Sequence, residues 1–311
     1  MMNLNAVFQY LTNGMDLGTF LQHLTNGISL GSLYALVAIG YTMVYGTLRL
    51  INFAHGDVFM MTTYFAFYGV STFMLPWYVS FILAVILTGA LGMLLEKGAY
   101  RPLRNAPKIS IMISAIGASF LLENLAVVLF GGRPKAFPSV KVLTDSVQFG
   151  SVSIQKLTFV IPIVTIIFLF GLLYLLNHTK TGMAMRAVAK DYETAGIMGV
   201  NVNLTISQTF AIGSMLAAVG GIMWGLKFPQ IAPLMGVMPG LKAFIAAVIG
   251  GIGNIKGAVI GGFILGIGEI MIVAFLPSLS GYRDAFAFVF LIVILLFKPT
   301  GITGEKIAEK V

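Results

Sequence analysis

The dominant feature of the sequence is a series of long apolar stretches separated by short polar connections. A helix of about 20 apolar residues crosses the hydrocarbon core of a bilayer, so such stretches indicate membrane-spanning helices. The pattern predicts spans at residues 27–47, 57–74, 77–96, 109–130, 157–177, 206–226, 240–254, 257–276 and 279–297. We therefore expect an all-α polytopic membrane bundle of eight or nine helices, with broken or re-entrant segments; in the eight-span version one segment is only re-entrant.

Composition excludes a soluble fold and several kinds of site. Hydrophobic residues make up 58% of the chain and charged residues 10%, against roughly a quarter charged in a soluble domain. There is no cysteine, which excludes disulfides and thiolate chemistry, and His23, His55 and His178 lack the spacing of metal ligands. The net charge of +8 includes no basic run with interleaved aromatics. We expect no metal, no cofactor and no bound nucleic acid.

Basic residues predict how the chain is oriented in the membrane. Lysine and arginine cluster in residues 97–108, in residues 180–190 and in the tail. In membrane proteins such loops face the cytoplasm, and with nine spans these three fall on one side. We expect an external N-terminus, an external loop at 131–156 and a cytoplasmic C-terminus. The expected divisions are an N-terminal interfacial segment, a membrane domain, a long cytoplasmic loop within that domain and a cytoplasmic tail, at residues 1–26, 27–297, about 178–205 and 298–311.

Several polar side chains fall inside or between the apolar stretches, where each needs a partner or a function. Asn52, His55 and Asp57 connect the first two predicted spans. Either this is a solvated connection in which Asp57 caps the next helix, or it is a broken helix whose end lines a cavity. Glu123 and Glu269 lie within predicted spans. Each either fixes helix orientation through an ion pair or hydrogen bond, or contacts a substrate amine or relays a proton.

Small residues recur at every fourth position in two of the predicted spans. Such stripes allow helix backbones to approach closely in a membrane. They predict tight packing within the bundle; the functional alternative is that these backbones line a path and move against one another. The two stripes are Gly213, Ala217, Gly221 and Gly225, and Gly253, Gly257 and Gly261. The glycine-rich run at 249–262 fits neither common phosphate-loop motif, so no nucleotide is assigned to it.

The stretch "RAVAKDYETAGIMGVN" (186–201) carries four charges between two long apolar runs. An acidic N-cap, an acid in the first turn and a closing glycine predict a short helix at 192–198. Small residues give this helix a surface that is open to close approach. A docking element for a partner and an ordinary connector both fit these features. The residues concerned are Asp191, Glu193, Ala195, Gly196 and Gly199.

The order of motifs along the chain resembles the LivH-type permeases, the membrane subunits of bacterial branched-chain amino-acid importers driven by ATP-binding cassettes. The match runs in order from about residue 22 to the end. It is carried by "GSLYALVAIGYTMVYG" (31–46), "INFAHGD" (51–57), "AYRPLR" (99–104), "ISAIG" (113–117), "LKAFIAAVIGGIG" (241–253), "GAVIGGFILGIGE" (257–269) and "KPTGITG" (298–304).

This resemblance implies a non-catalytic permease subunit in the bacterial inner membrane, with branched-chain or other hydrophobic amino acids as substrates. It implies a second permease subunit, either LivM-like or a second copy of this chain. It also implies two cytoplasmic ATPases that carry out the hydrolysis, and a periplasmic or lipid-anchored binding protein. It also implies that the helix at 192–198 docks into a cleft on an ATPase. Asp191, Glu193, Ala195, Gly196 and Gly199 then couple ATP hydrolysis to transport. The translocation-path candidates are Asn52, His55, Asp57, Glu123 and Glu269.

Other functions remain as alternatives. A proton-coupled secondary transporter could use His55, Asp57, Glu123 or Glu269 and would need no ATPase. An ATP-driven permease for urea or amides would share every feature except the substrate. A channel is disfavoured because no ring of charges or filter-like repeat is visible. A membrane-embedded enzyme is disfavoured because no nucleophile, base and orienting group occur together.

Overall fold

The structure, a computed structural model, describes residues 16–149 and 152–304. Its helices are α1 (Leu17–Leu48), α2 (His55–Ser71), α3 (Trp77–Leu95), α4 (Lys108–Phe130), α5 (Lys141–Thr144), α6 (Lys156–His178), α7 (Lys180–Lys190), α8 (Tyr192–Ile197), α9 (Val202–Lys227), α10 (Val237–Gly250), α11 (Ile255–Phe275) and α12 (Arg283–Phe297). A π-helical turn (Glu96–Tyr100) and a 3-10 turn (Arg101–Leu103) follow α3, and a second 3-10 turn (Pro277–Tyr282) precedes α12. The short strands are β1 (Lys135–Ala136), β2 (Ser146–Phe149), β3 (Val152–Gln155) and β4 (Gln230–Ile231).

Within the described residues, seven helical segments are long and apolar enough to cross a membrane. They correspond to α1, α3 with its two following turns, α4, α6, α9, α11, and α12 with the 3-10 turn before it. The predicted spans at 57–74 and 240–254 are instead the shorter helices α2 and α10, of 17 and 14 residues. The prediction of an all-α polytopic bundle with broken segments is confirmed, with seven full-length helices and two short ones.

Helix α1 is the central helix of the bundle and is buried along most of its length. Its first turn is capped by Asp16, whose carboxylate accepts a hydrogen bond from the Thr19 amide at 3.3 Å. The helix therefore begins ten residues before the predicted span. Residues 17–26, which we expected in an interfacial segment, form its first turns, and residues 1–15 of that segment lie outside the described part of the chain.

The two short helices begin inside the bundle. His55, the first residue of α2, lies beside Gly40 of α1, eight residues or about 12 Å before α1 ends. The connection at 49–54 therefore turns back into the bundle. The start of α10 meets the start of α2: a Cβ at Gly56 would lie 2.5 Å from the Gly236 carbonyl oxygen, and one at Gly236 would lie 2.0 Å from the Gly56 oxygen. Side chains larger than hydrogen do not fit at either position.

Helices α1 to α4 pack against helices α9 to α12 in a reciprocal way. Helix α1 lies against α11 through Gly31 and Gly262, and α9 lies against α3 at Gly92. The first helices of the two halves meet where Gly40 and Gly213 approach each other's carbonyl oxygens. Each half therefore consists of a long helix, a short helix and two more long helices. The two short helices meet at the centre of the bundle.

The connections between helices are collected at two ends of the bundle. We call one end the loop face, formed by residues 96–107, 178–201, 251–254 and 298–304. Tyr100 and Ala195 pack there in one cluster with Leu48 at the end of α1, and Gly251 contacts Gly301. The basic segments at 97–108 and 180–190 and the described start of the tail, residues 298–304, therefore lie on one side of the molecule, as predicted. Their placement in the cytoplasm stays a prediction.

The opposite end, which we call the hairpin face, carries the described parts of the connection at 131–155. Strands β2 and β3 form an antiparallel hairpin, and β1 pairs with β4. The amide of Gln22 in α1 donates a hydrogen bond to the Ser153 carbonyl at 3.3 Å, and the Phe137 ring lies over Gly225. These contacts fasten the connection to the ends of α1 and α9.

The glycine stripes make close helix contacts, with one correction. In α9, a Cβ at Gly221 would lie 2.7 Å from the Phe59 carbonyl oxygen of α2. In α11, Gly257 and Gly261 face α10, where a Cβ at Gly261 would lie 2.0 Å from the Ala246 oxygen. Gly253 does not belong to the second stripe: it precedes α11 and has a φ of +96°, which favours glycine in a tight turn.

Candidate functional site

A cavity of about 210 Å³ lies where the N-termini of α2 and α10 meet. We call it the half-helix cavity. Its polar and backbone walls are formed by Tyr41, Gly56, Asp57, Ser119, Glu123 and Gly240, and apolar side chains line the rest. The cavity is far larger than the roughly 10–15 Å³ that one water molecule needs. It can therefore hold a small solute.

Asp57 is the most distinctive group in this cavity. It lies in the first turn of α2 and its residue surface is only 2% exposed. The Ser119 hydroxyl of α4 donates a hydrogen bond to its Oδ2, whereas Oδ1 has no hydrogen-bond partner among the described residues. Glu123 lies one helical turn after Ser119 and lines the same cavity. Two carboxyl groups therefore share one cavity, and the Asp57 Oδ1 atom has no hydrogen-bond partner among the described residues.

The other predicted path residues near α2 lie elsewhere. His55 is fully buried, and its ring packs against Tyr41 with ring centroids 4.4 Å apart. Asn52 accepts a hydrogen bond from the Tyr100 hydroxyl at 2.7 Å, which ties the 49–54 connection to the loop face. Neither residue lines the half-helix cavity. The broken-helix interpretation of this segment therefore describes the backbone correctly, while only Asp57 of the three points into the cavity.

Glu269 is fully buried and belongs to a separate ion-pair cluster. Its carboxylate lies 2.8 Å from the Lys242 ammonium and 3.0 Å from the Arg283 guanidinium, and it accepts a hydrogen bond from the Tyr34 hydroxyl at 3.1 Å. Lys242 also pairs with Asp284 at 2.6 Å. The cluster joins α1, α10, α11 and α12. Of the two interpretations of Glu269, the geometry fits the ion pair that fixes helix orientation.

A second buried glutamate occupies a matching position in the first half. Glu96, after α3, pairs with Arg101 and Arg104 at 2.8 Å each and accepts a hydrogen bond from the Ser207 hydroxyl of α9 at 2.6 Å. Glu269 likewise bonds a hydroxyl on the first helix of the other half. This cluster is not among the sequence predictions, because the positions of its arginines indicated only on which side of the membrane their loop lies. The spacing of five and eight residues after Glu96 was the available signal.

The polar stretch on the loop face forms α7 and α8. The Asp191 carboxylate accepts hydrogen bonds from the amides of Glu193 and Thr194, and Gly199 has a φ of +88°. The predicted cap, short helix and closing glycine are confirmed. Ala195, however, is buried against the bundle, so it does not contribute to an exposed docking surface. Gly196 is exposed and is followed by Ile197 and Met198, which are 86% and 78% exposed.

The sequence is similar to that of known proteins over nearly its whole length. The model of the family "Branched-chain amino acid transport system / permease component" matches residues 23–296. The chain is 43% identical over 314 residues to the high-affinity branched-chain amino acid transport system permease protein LivH of Salmonella typhimurium, covering 97% of each chain. It is 41% identical over 326 residues, covering both chains completely, to the corresponding permease protein BraD of Pseudomonas aeruginosa. A probable LivH of Methanocaldococcus jannaschii is 31% identical over 88% of this chain and 89% of its own.

The chain belongs to this permease family. The predicted resemblance to LivH-type permeases is confirmed, and the permease is a non-catalytic, multi-pass membrane component of an ATP-binding-cassette system. Such a component implies ATPase and binding-protein partners. Within residues 16–149 and 152–304, the permease has no group of three histidine, aspartate or glutamate side chains placed to hold a metal ion.

Proposed function

We propose that the permease forms the transmembrane path for branched-chain or other hydrophobic amino acids, and that the path passes through the half-helix cavity. The observation that carries the proposal is the cavity with two carboxyl groups at the meeting point of two short helices, because transporters place substrate at such discontinuities. The relatives named above support the substrate class. The remaining walls of the cavity are mostly apolar, which suits an apolar side chain better than urea or a simple amide.

We further propose that the loop face is cytoplasmic and receives two ATPases. Helix α8 supports this because Tyr192, Ile197 and Met198 expose apolar surface on a short capped helix outside the bundle. In this arrangement Asp191, Glu193, Gly196 and Gly199 shape the coupling element, and Ala195 holds it against the bundle. The hairpin face then meets a periplasmic or lipid-anchored binding protein, and a second, LivM-like permease subunit completes the pathway.

The test is ATP-dependent uptake into proteoliposomes. The full-length chain is co-expressed with the proteins encoded beside its gene, and the purified complex is reconstituted with its binding protein. We expect radiolabelled leucine to accumulate only with ATP, and excess isoleucine or valine to compete. Competition by urea or acetamide, with no effect of the amino acids, would contradict the substrate class.

Asp57 and Glu123 place two carboxyl groups in the half-helix cavity, an arrangement that a proton-coupled transporter would also use. That mechanism predicts leucine accumulation in ATP-free vesicles when a pH gradient is imposed. The ATP-driven proposal predicts none.

A further inference from the structure

We propose that the half-helix cavity recognises the zwitterionic head group of a free α-amino acid. Asp57 and Glu123 would receive the ammonium group, and the Gly56 and Gly236 amides at the starts of α2 and α10 would receive the carboxylate. This inference rests on the proposed function. It adds a binding site, the ionic form of the ligand, and the residues that bind the ligand's ammonium group and carboxylate.

The part of the cavity that would bind the ammonium group contains Asp57. Its residue is 2% exposed, it lines the cavity, and its Oδ1 has no hydrogen-bond partner among the described residues. A buried polar atom left without a partner is costly, so native proteins normally satisfy it with protein, water or ligand. An ammonium group carries three N–H donors and suits a carboxylate oxygen of this kind. Glu123, one turn after Ser119 on α4, lines the same cavity and offers a second acceptor.

The part of the cavity that would bind the carboxylate lies at the starts of the two short helices. Helices α2 and α10 have 17 and 14 residues, and their starts approach at Gly56 and Gly236. Most amides at these helix starts already donate to backbone carbonyls, as Asp57 does to Ala54 and Val237 to Leu234. The Gly56 and Gly236 amides, which belong to residues that line the cavity, have no such partner among the described residues. A helix N-terminus also carries a partial positive charge. Two such ends in contact repel each other unless an anion lies between or beside them. The only acid in either first turn is Asp57, and a ligand carboxylate would add the second negative charge.

The remaining walls suit an apolar side chain. Ile116 and Phe120 of α4 and Phe244 of α10 line the cavity together with the Tyr41 ring. Neither Gly56 nor Gly236 has a side chain that could cover its own amide. The cavity therefore offers acidic side chains and helix N-termini beside an apolar surface. A hydrophobic amino acid has an ammonium group, a carboxylate and an apolar side chain, and so matches all three. An amine or a carboxylic acid alone does not.

The experiment uses a single reporter cysteine at Ile116, since the chain has no native cysteine. The I116C permease is co-expressed with its neighbouring subunits, purified without binding protein and placed in nanodiscs. The rate of N-ethylmaleimide labelling is measured with leucine, with 4-methylpentanoate, which lacks the ammonium group, and with isopentylamine, which lacks the carboxylate. We expect leucine to slow labelling several-fold, and each half-ligand at the same concentration to have little effect.

Charge-specific variants then assign the residues. Asp57→Asn in the reporter background should raise the leucine concentration needed for half-protection about tenfold, as expected when one charge-assisted hydrogen bond is lost. Glu123→Gln should give a smaller shift, and because Glu123 is only partly buried this variant should assemble even if Asp57→Asn does not. The matched control is Asp16→Asn, the same chemical change at an exposed N-cap that asparagine can also form.

Each outcome either supports or overturns the site. Equal protection by isopentylamine and leucine would overturn the carboxylate contact, and equal protection by 4-methylpentanoate would overturn the ammonium contact. Unchanged half-protection in both acidic variants would overturn the whole assignment. Normal ATP-dependent leucine uptake without any protection of the reporter would remove this site but keep the proposed function. Absence of amino-acid uptake by the wild-type complex would remove the proposed function itself.

Discussion

Two acidic sites inside the bundle differ in how fully their carboxyl groups are paired. Glu269 has Lys242, Arg283 and the Tyr34 hydroxyl as partners, and no part of it is exposed. Asp57 is almost as deeply buried, yet it has one hydroxyl partner and faces a cavity. A buried charge with a full set of partners holds helices in place, whereas one with a missing partner is available to a ligand. Variants at the two sites should therefore differ in how strongly they affect stability and transport.

The largest effect is expected for Glu269→Ala. Removing this carboxylate leaves Lys242 and Arg283 with less compensation inside the bundle, and breaking a buried ion pair costs about 3–5 kcal/mol. We expect a sharply lower melting temperature in detergent and poor recovery from size-exclusion chromatography. Glu193→Ala, on the exposed surface of α8, is the control. Wild-type stability of the Glu269 variant would show that the cluster is not structural.

The next effect concerns the contact that forms the cavity. In Gly236→Ala the new methyl group would lie 2.0 Å from the Gly56 carbonyl oxygen, so the two short helices must separate. Overpacking of this kind typically costs about 1–3 kcal/mol. The control is Gly117→Ala in α4, where a Cβ meets nothing within 4 Å and alanine improves helix propensity. Equal melting temperatures for both variants would mean that the short helices are not in tight contact.

A smaller effect on stability is expected for Asp57→Asn, together with a large effect on transport. Asparagine keeps an acceptor for the Ser119 hydroxyl, so we expect a change in unfolding free energy below about 1 kcal/mol. Leucine uptake by the reconstituted complex should fall about tenfold, because the ammonium partner loses its charge. The two readouts, melting temperature and uptake, should thus separate in this variant and move together in Glu269→Ala. Parallel losses in both variants would remove the distinction.

Hydropathy and local signals predicted much of this fold, and the exceptions have physical causes. The long spans and the capped helix α8 follow from residues that are close in sequence, such as Asp191 and Gly199. The early start of α1 was missed because polar residues at 17–26 were taken to exclude a span, although a helix can continue past the apolar region. The reciprocal packing and the Glu96 cluster depend on contacts across more than a hundred residues, as between Glu96 and Ser207, which periodicity cannot reveal.

The same limit applies to the site. The sequence placed five polar residues in one group of path candidates, because each is unusual beside apolar stretches. The structure divides them: Asp57 and Glu123 share a cavity, His55 packs against an aromatic ring, Asn52 binds a tyrosine, and Glu269 is fully paired. What distinguishes them is the set of neighbours that the fold brings from other helices.

The smallest effect on stability is expected at α8, where the test concerns coupling and not packing. Gly196 is exposed, and a Cβ there would meet only the Val202 side chain at 3.7 Å, so Gly196→Glu should change the unfolding free energy by less than about 0.5 kcal/mol. In an ATPase cleft that closes around this helix, the added bulk and unpaired charge would be strongly unfavourable. We therefore expect normal membrane insertion and a wild-type melting temperature, but loss of ATPase co-purification and of uptake when both are normalised to permease level.

Gly98→Glu, also on the loop face and with open space around it, is the matched control and should keep both ATPase binding and uptake. If Gly196→Glu retains the ATPase and transports at the wild-type rate, α8 is only a connector, and the exposed Ile197 and Met198 need a different explanation.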